Sequence, residues 1–338
     1  MNDDRVLVVG GAGYIGPIVC QHLLGAGMPV TCLDRLVYAN GCCVTPLLGR
    51  AGFRFVYGDM ADPAEVREAA AGSSAVVVLA GLVGDPITKK YPAESHAIND
   101  FAIQSLITGL NGTGIKRMVF VSTCSNYGLS DGDALLNEDA PLRPLSAYAR
   151  SKVAAEQLLL SSLRSLDYSP TVLRFATAFG VAPRTRFDLT VNEFALELSS
   201  GRPLSVYDAD TWRPYCHVQD FARAIHMALT APPATVAGQV FNVGGEGNNH
   251  TKRQIVEIIQ AQLGPTVVNY QQAGSDARNY KVDFSKIRRT LGFEPAVTVS
   301  DGVRELLAAI RGHLFDDSSA RRSFYGNYEV NYPLRAAT

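Results

Sequence analysis

Residues 5–16 read Arg-Val-Leu-Val-Val-Gly-Gly-Ala-Gly-Tyr-Ile-Gly, and this stretch decides the fold. Its first half is an apolar, β-branched run typical of a buried strand. Its second half places Gly10, Gly13 and Gly16 at the spacing G-x-x-G-x-x-G, directly before a helical pattern. Such glycines allow a tight turn and a close approach of the backbone to a pyrophosphate, which the N–H groups at a helix N-terminus can bind. The stretch therefore predicts a dinucleotide-binding loop.

Outward from this stretch, short apolar runs alternate with segments of helical periodicity. The apolar runs predict further strands at residues 30–33, 53–57, 75–79, 117–122 and 171–175. Strands that are apolar throughout and separated by helices favour a parallel sheet covered on both faces. We predict an α/β fold, a doubly wound parallel Rossmann sheet with a second, smaller α/β substrate lobe. The expected division assigns residues 1–180 and a return segment at about 214–243 to the sheet, and residues 181–213 and 244–338 to the smaller lobe.

The composition narrows the classes of function. The 338 residues include 31 Lys and Arg against 32 Asp and Glu, a net charge of -1 that argues against a protein whose main work is binding nucleic acid. Hydrophobic residues make up 47% and charged residues 19%, which is a globular composition. We see no membrane-length apolar run and no leader pattern at the start, and the six cysteines have no metal-site spacing. We expect a cytoplasmic protein without a metal.

Two carboxylates follow the second and third predicted strands. Asp34 can accept hydrogen bonds from both ribose hydroxyls of an adenosine and would repel a 2′-phosphate, which favours NAD. The neighbouring Arg35 could instead accept that phosphate, so NADP remains an alternative. Asp59 is placed to bind the adenine amine, or else belongs to the start of the helix that Asp62-Pro63 begins.

A second motif carries candidate chemistry. Tyr148 and Lys152 are four residues apart on a predicted helix, so both side chains lie on one face. A lysine ammonium beside a phenol stabilises the phenolate and would lower the tyrosine pKa from about 10, giving a general base. Thr123, at the end of a strand, can hydrogen-bond the reacting oxygen. A surface tyrosine–lysine pair is the alternative, and the glycine loop favours the catalytic interpretation.

These motifs resemble those of the extended short-chain dehydrogenase/reductase family, in its group of NAD-dependent epimerases and dehydratases acting on nucleotide sugars. The resemblance is carried by Gly10 to Gly16, Asp34, Gly58-Asp59, Leu79-Ala80-Gly81, Ser122 to Gly128, Tyr148 to Lys152, Leu173-Arg174-Phe175 and Arg213 to Val218. It implies that Thr123, Tyr148 and Lys152 are catalytic and that NAD is the cofactor. Lys152 would also bind the nicotinamide ribose.

The resemblance also implies two sets of binding residues. For the cofactor they are Gly10, Gly13, Tyr14, Ile15, Gly16, Asp34, Arg35, Asp59, Met60, Leu79, Ala80, Gly81, Asn99, Ser122, Tyr148, Lys152 and Phe175, with Asn99 bracing the active-site loop. For a nucleotide-diphosphate sugar they are Asp85, Thr123, Cys124, Ser125, Thr177, Asn192, Arg213 and Arg278. The two arginines would bind the diphosphate, or else form surface salt bridges. Asp85 would touch sugar hydroxyls or cap a turn.

One departure from the family bears on the reaction. The family's 4,6-dehydratases carry an Asp-Glu pair directly after the catalytic threonine, whereas this chain has Cys124-Ser125. Because neither residue suits the acid–base work of water loss, dehydration is disfavoured. The predicted function is an NAD-dependent nucleotide-sugar epimerase, in which Tyr148 and NAD oxidise a ring hydroxyl to a ketone and the hydride returns to the opposite face. The alternatives are an NAD(P)-dependent C4-dehydrogenase or keto-sugar reductase, and a catalytically silent NAD-sensing regulator.

Two long helical patterns, near residues 94–110 and 147–166, expose small and apolar positions on more than one face. Such faces suit burial against the sheet on one side and a partner subunit on the other. We expect a homodimer formed through these helices, the alternative being a thicker monomer core.

Overall fold

The computed structural model describes residues 5–130, 134–272 and 278–334. The strands are β1 (Val6–Val9), β2 (Val30–Asp34), β3 (Phe53–Tyr57), β4 (Ala75–Val78), β5 (Arg117–Thr123), β6 (Leu135–Leu136), β7 (Ser169–Phe175), β8 (Thr177–Phe179), β9 (Leu204–Tyr207), β10 (Trp212–His217), β11 (Val240–Val243), β12 (Asn249–Thr251), β13 (Val268–Gln271) and β14 (Lys281–Val282). The helices are α1 (Gly16–Gly25), α2 (Pro63–Ala70), α3 (Asp85–Lys90), α4 (Pro92–Ser95), α5 (Ile103–Gly109), α6 (Ala147–Ser161), α7 (Thr190–Ser199), α8 (Val218–Thr230), α9 (Pro233–Val236), α10 (Lys252–Leu263), α11 (Ser285–Leu291) and α12 (Val299–Arg311).

A seven-stranded parallel sheet forms the centre of the molecule, in the order β11-β7-β5-β4-β1-β2-β3. All four residues of β1 and of β4 are buried, because helices cover both faces of the sheet. The chain runs outward from β1 to β3 and then returns to add β4 on the other side. This reversal opens a crevice at the carboxyl ends of β1 and β4. The predicted doubly wound parallel sheet is confirmed.

A smaller α/β region contains a three-stranded sheet, β12-β10-β8, and the pair β13-β9. Helices α7, α10 and α12 pack together over a core that includes Phe194, Ile255 and Leu306. Strand β8 follows β7 after one residue and pairs with β10, so this region begins where the large sheet ends. That arrangement places it beside the crevice.

Two segments expected in the smaller lobe pack instead against the large sheet. Phe284 and Ile287, at and within α11, share the core that covers β7 and β11. Near the end of the chain, Tyr332 packs against the opposite core, which contains Met60. The apolar side chains of both segments thus add to the cores on the two faces of the large sheet. Residues 335–338 of the predicted lobe lie outside the described part of the chain.

The helical segment predicted at 94–110 has a π-helical middle, His96–Ala102, between α4 and α5. The helix predicted at 147–166 ends earlier, at Ser161. Within the described residues, no helix has both the length and the apolar character needed to cross a bilayer. The same residues contain no cluster of three or more His, Cys, Asp or Glu that could hold a metal ion.

Candidate active site

A cavity of about 720 Å³ lies at the carboxyl ends of the strands of the large sheet. It is lined by every residue of the predicted cofactor set except Asn99, and by Asp85, Thr123, Ser125, Thr177, Arg213 and Arg278 of the predicted substrate set. Cys124 and Asn192 are absent from its wall. Motifs far apart in the sequence thus meet around one space.

The glycine loop forms the floor of this cavity. Gly10 has a φ of 83°, and a Cβ there would lie 2.6 Å from the backbone nitrogen of Ala80. A Cβ on Gly16 would lie 2.5 Å from the backbone of Gly11, so the turn closes only with glycine at both positions. Helix α1 begins at Gly16 with no side-chain cap and no acidic residue in its first turn. Its N-terminus therefore fits the negative charge of a pyrophosphate.

Asp34 is held at the edge of the loop by two backbone donors. Its Oδ2 accepts a hydrogen bond from the Ala12 amide at 2.9 Å, and its Oδ1 accepts one from the Leu36 amide at 2.8 Å. Burial raises the pKa of this carboxyl, with the two backbone bonds acting in the opposite direction. Each carboxylate oxygen has a further acceptor site, so a diol can still bind.

The contacts of Arg35 and Asp59 bear on the alternative roles predicted for them, which are binding a 2′-phosphate for Arg35 and belonging to the start of α2 for Asp59. The Arg35 guanidinium lies 3.6 Å from Asp59 Oδ2, so it is directed toward that carboxylate. Asp59 accepts the Ala61 amide at 2.9 Å, whereas Asp62 caps α2 through the Ala64 amide. Asp59 is therefore not the helix cap, and it faces the cavity. We call this region, with Arg35, Asp59 and the nearby Tyr332, the Asp59 end.

The opposite region, which we call the Tyr148 end, contains Thr123, Tyr148 and Lys152. Thr123 closes β5, and Tyr148 lies in the first turn of α6, whose N-cap Ser146 accepts the amide of Ala149. Lys152 Nζ donates to the Val121 carbonyl at 2.9 Å and lies 6.0 Å from the centre of the Tyr148 ring. Burial lowers the pKa of Lys152 to about 8. All three side chains line the cavity.

The pKa of Tyr148 differs from the sequence-based prediction. Burial raises the pKa of this phenol above its usual value. Arg186 and Arg278 act in the lowering direction, and Asp85 acts in the raising direction, without reversing the effect of burial. For the protein atoms alone, the net direction of this pKa is thus opposite to the predicted lowering, because desolvation outweighs the charges around the phenol.

A buried polar network supports the Tyr148 end. Arg174 on β7 and Glu156 on α6 form an ion pair at 2.7 Å, with side chains 5% and 2% exposed. Ser122 donates to Glu156, and Asn126 Nδ2 donates to Glu156 Oε1 at 2.8 Å. The network joins β5, α6 and β7, and so fixes the helix that carries Tyr148 against the strand that carries Thr123. Sequence reasoning missed Glu156; the signal was an arginine at the end of an apolar strand, which requires a buried partner.

Three predicted contact residues lie behind the cavity wall. Asn99 binds both the amide and the carbonyl of Leu82, at 2.7 and 2.9 Å, and so braces the loop after β4. Cys124 is 1% exposed, and its Sγ donates to the Arg174 carbonyl. Asn192 is fully buried, donates to Tyr14 Oη at 2.9 Å and accepts the Gly180 amide. The polar groups of these three residues are thus engaged by hydrogen bonds inside the protein.

The predicted diphosphate arginines lie together near Thr123. Arg278 donates to Ser125 Oγ at 3.1 Å and lies 3.6 Å from Asp85. Arg213 is 5% exposed and donates to the Trp212 carbonyl at 2.8 Å and to the Arg278 carbonyl. Both arginines line the cavity, and so does Asp85, the carboxylate with which Arg278 forms an ion pair.

Sequence reasoning missed a further group of cavity residues: Lys89, Arg184, Arg186, Asp188, Lys252, Tyr280, Asn327, Tyr328 and Tyr332. Arg186 is paired in a fork with Asp188, at 2.9 and 2.6 Å. These residues follow no motif spacing. The available signal was the short run of charges from Arg184 to Asp188 in an otherwise apolar region.

Comparisons with known proteins match residues 6–244 to the NAD dependent epimerase/dehydratase family. The chain is 32% identical to a dTDP-glucose 4,6-dehydratase of Streptomyces griseus, over 91% of this chain and 94% of that protein. It is 28% identical to a UDP-glucose 4-epimerase of Corynebacterium glutamicum, over 94% of this chain and 99% of that protein. The solved structure of MoeE5 in complex with UDP-glucuronic acid and NAD has a TM-score of 0.80 and 27% identity, over 91% of this chain and 99% of that one.

Proposed function

This chain belongs to the NAD dependent epimerase/dehydratase family, whose members are enzymes of nucleotide-sugar chemistry, and from that premise we propose that it is a nucleotide-sugar epimerase. One observation carries the choice of reaction. Thr123 and Tyr148 line the cavity together, while the two residues after Thr123 are a buried thiol and a neutral hydroxyl. The site thus has a base for oxidising a hydroxyl but no carboxylic acid pair beside Thr123.

The residues around the cavity fit NAD. The glycine loop and the N-terminus of α1 would hold the pyrophosphate, Asp34 the adenosine ribose, Asp59 the adenine amine and Lys152 the nicotinamide ribose. When bound, NAD supplies the acceptor and donor of a hydride, and its oxidised ring adds a positive charge beside Tyr148. This added charge matters because the protein atoms alone leave the pKa of Tyr148 raised.

The side chains at the Tyr148 end divide the proton work. Tyr148 takes the proton from a ring hydroxyl as that carbon becomes a ketone, and it returns a proton to the ketone oxygen in the second half of the reaction. Thr123 Oγ1 hydrogen-bonds the same oxygen and keeps it in line. Lys152, anchored on the Val121 carbonyl, places its positive charge behind the phenol. Epimerisation requires that the keto sugar present its other face before the hydride returns.

Water loss requires more than this set of groups. Elimination needs an acid for the departing hydroxyl and a base for the neighbouring C–H bond. Cys124 faces the core, and burial raises the pKa of its thiol. Asp85 and Asp188, which are carboxylates on the cavity wall, face Arg278 and Arg186. These contacts favour epimerisation over dehydration, although a dehydratase is among the similar proteins.

We propose a nucleotide-diphosphate sugar as the substrate. Arg213 and Arg278 add two cations to the wall beside Ser125, where a diphosphate would be bound. The similar MoeE5 structure holds UDP-glucuronic acid, which is a substrate class of this kind.

We also propose a homodimer through the helical segments near 94–110 and 147–166. Phe101, on the first segment, is 60% exposed, and Leu163, just beyond α6, is 43% exposed. Large apolar side chains at these positions suit an interface between two copies. Analytical ultracentrifugation should give twice the chain mass, and Phe101→Glu should shift it toward the monomer.

The function is tested by product analysis. The purified enzyme is incubated in D₂O with a panel of UDP- and dTDP-hexoses, and each product is examined by mass spectrometry and NMR. An epimerase gives a product of unchanged mass, inverted at one carbon and without deuterium there, because the transferred hydride does not exchange with solvent. A product lighter by one water contradicts the proposal in favour of dehydration. NADH formed in proportion to product contradicts it in favour of a dehydrogenase.

A further inference from the structure

The end of the described chain passes across the mouth of the cavity. We call residues 323–334 the strap. Its first anchor is Arg184, which is 2% exposed and donates through Nη2 to the carbonyls of Ser323 and Gly326, both at 3.2 Å. The guanidinium stacks on the ring of Tyr38, with its central carbon 4.0 Å from the ring centre. Burial lowers the pKa of Arg184 to about 10, so its charge needs the strap's carbonyl dipoles nearby.

The second anchor of the strap is Asn327, which is 5% exposed. Its Oδ1 accepts from Arg184 at 2.9 Å, and its Nδ2 donates to the Val83 carbonyl at 2.7 Å. Its backbone amide donates to Asp188 Oδ2 at 3.1 Å. Asn327 therefore joins the strap to the loop after β4 and to the Arg186–Asp188 pair, near the Tyr148 end.

The third anchor lies at the Asp59 end. Tyr332 donates its hydroxyl to Asp59 Oδ2 at 2.9 Å, and the Arg35 guanidinium lies 5.7 Å from the centre of its ring. The backbone amide of Asn331 donates to the Val37 carbonyl at 3.3 Å. The strap thus spans the cavity from one end to the other, and Asn327, Tyr328 and Tyr332 line it.

We propose that the strap is the outer wall of the dinucleotide site and keeps NAD bound between turnovers, with Tyr332 as the residue that positions Asp59. The inference rests on the proposed placement of the adenine at Asp59, and it applies to any sugar reaction in which the hydride returns within one turnover. An enzyme that returns the hydride it removes gains from such a wall, because loss of the cofactor in mid-cycle would strand a keto sugar.

The contacts of Asp59 indicate that the strap helps to retain NAD and does not compete with it for the site. Asp59 uses one acceptor site on Oδ1 for the Ala61 amide and one on Oδ2 for Tyr332. A carboxylate has about four such sites, so an adenine amine can bind while Tyr332 remains in place. The cavity retains about 720 Å³ with the strap closed over it. The strap therefore covers the site without filling it.

The test measures exchange of bound NAD. Holoenzyme is mixed with excess isotope-labelled NAD, and the rate at which label enters the protein is followed for wild type, Tyr332→Phe, Tyr332→Ala and a chain ending at Val330. We expect exchange about tenfold faster for Tyr332→Ala and for the shortened chain, since both the hydrogen bond to Asp59 and the ring beside Arg35 are lost. Tyr332→Phe keeps the ring beside Arg35 and should show a smaller increase. The matched control is Leu334→Ala, at an exposed strap position that does not line the cavity; it should exchange at the wild-type rate.

Three outcomes overturn the proposal: wild-type exchange in both Tyr332→Ala and the shortened chain, slower exchange in either, which would make the strap a competitor of NAD, or an equal acceleration in Leu334→Ala. Tyr332→Phe keeps the test decisive if a larger change disturbs folding, which circular dichroism and the unfolding temperature would reveal. Label exchange reads cofactor retention directly, so it remains valid if the product analysis shows another sugar reaction.

Discussion

The Tyr148 end takes its reactive side chains from two neighbouring elements, whereas the Asp59 end combines Arg35 and Asp59, which follow the paired strands β2 and β3, with Tyr332 from a distant part of the chain. At the Tyr148 end, a buried ion pair between Glu156 and Arg174 fixes the elements to one another. At the Asp59 end, the half-buried Arg35 and Tyr332 contact the buried Asp59. The difference indicates that substitutions at the Tyr148 end should affect catalysis and folding, whereas substitutions at the Asp59 end should change the affinity for the cofactor.

The largest effect should come from removing the proposed base. Tyr148→Phe should lower kcat by about 1,000-fold or more, in keeping with the contribution of a general base, because the substitution removes the oxygen that would take the proton. NAD content should stay within about twofold of wild type, since the substitution removes one oxygen. Steady-state assays and cofactor analysis of the same preparation measure both quantities.

Tyr57→Phe is the matched control, because Tyr57 is 63% exposed at the end of β3 and outside the cavity. It should leave kcat unchanged. Activity near wild type in Tyr148→Phe would refute the mechanism. Loss of NAD from that variant would contradict the expectation that the Tyr148 end affects chemistry and the Asp59 end affects cofactor affinity.

The next effect tests the buried support of the Tyr148 end. Glu156→Gln removes the charge that faces Arg174 and leaves a buried cation without its partner. The free energy of unfolding should fall by about 3–5 kcal/mol, as measured by urea titration. Glu197→Gln breaks the exposed pair with Arg202 and should change it by less than about 1 kcal/mol. Equal effects of the two substitutions would mean that the network does not fix α6.

The same contrast explains what could be predicted from the sequence. The glycine loop, the strand that precedes it and the Tyr148–Lys152 pair follow local spacing, and the structure brings them together as that spacing indicates. The partner of Arg174 is set by packing between α6 and β7, which no local pattern records. Cys124 is predicted among the substrate-binding residues, but the short 3₁₀ turn that begins there directs its thiol into the core.

The strap was missed for a related reason. Residues 323–334 have neither helical nor strand periodicity, and their placement depends on contacts with distant residues such as Arg184 and Asp59. An aromatic residue near the end of a chain gives no indication of its partner. Contacts by which a distant segment covers a site can therefore be identified only from the tertiary structure.

A smaller effect is expected at the proposed diphosphate subsite. Arg213→Ala should raise the KM for the nucleotide sugar about ten- to a hundredfold with little change in kcat, because a charge-assisted hydrogen bond is worth about 1.5–3 kcal/mol. Arg202→Ala, on the exposed surface, should leave KM unchanged. Because Arg213 also binds the Trp212 carbonyl, the unfolding temperature of the variant must be measured alongside. An unchanged KM would remove Arg213 from the substrate site.

The smallest effect concerns the free energy of unfolding, which the burial of Lys152 at the Tyr148 end should lower. Burial lowers the folded-state pKa of Lys152 from 10.5 to about 8. Between these two pH values the unfolded chain binds the proton and the folded chain does not, so the lysine's cost to stability should shrink as pH rises from 8 toward 10. Compared with Lys152→Met, which cannot titrate, the cofactor-free wild type should gain about 2 kcal/mol across this window, measured by urea unfolding at each pH.

At pH 7 the folded protein must hold Lys152 charged in a buried site, so Lys152→Met should be the more stable protein there while losing nearly all activity. Lys116→Met, at an exposed position, should follow the wild-type pH profile. If the free energy of unfolding of Lys152→Met changes with pH in parallel with that of wild type, burial does not lower the pKa of this lysine. The Tyr148 end would then carry no stability cost from Lys152. If Lys152→Met is more stable than wild type and also keeps its activity, the assignment of Lys152 to the catalytic set is contradicted.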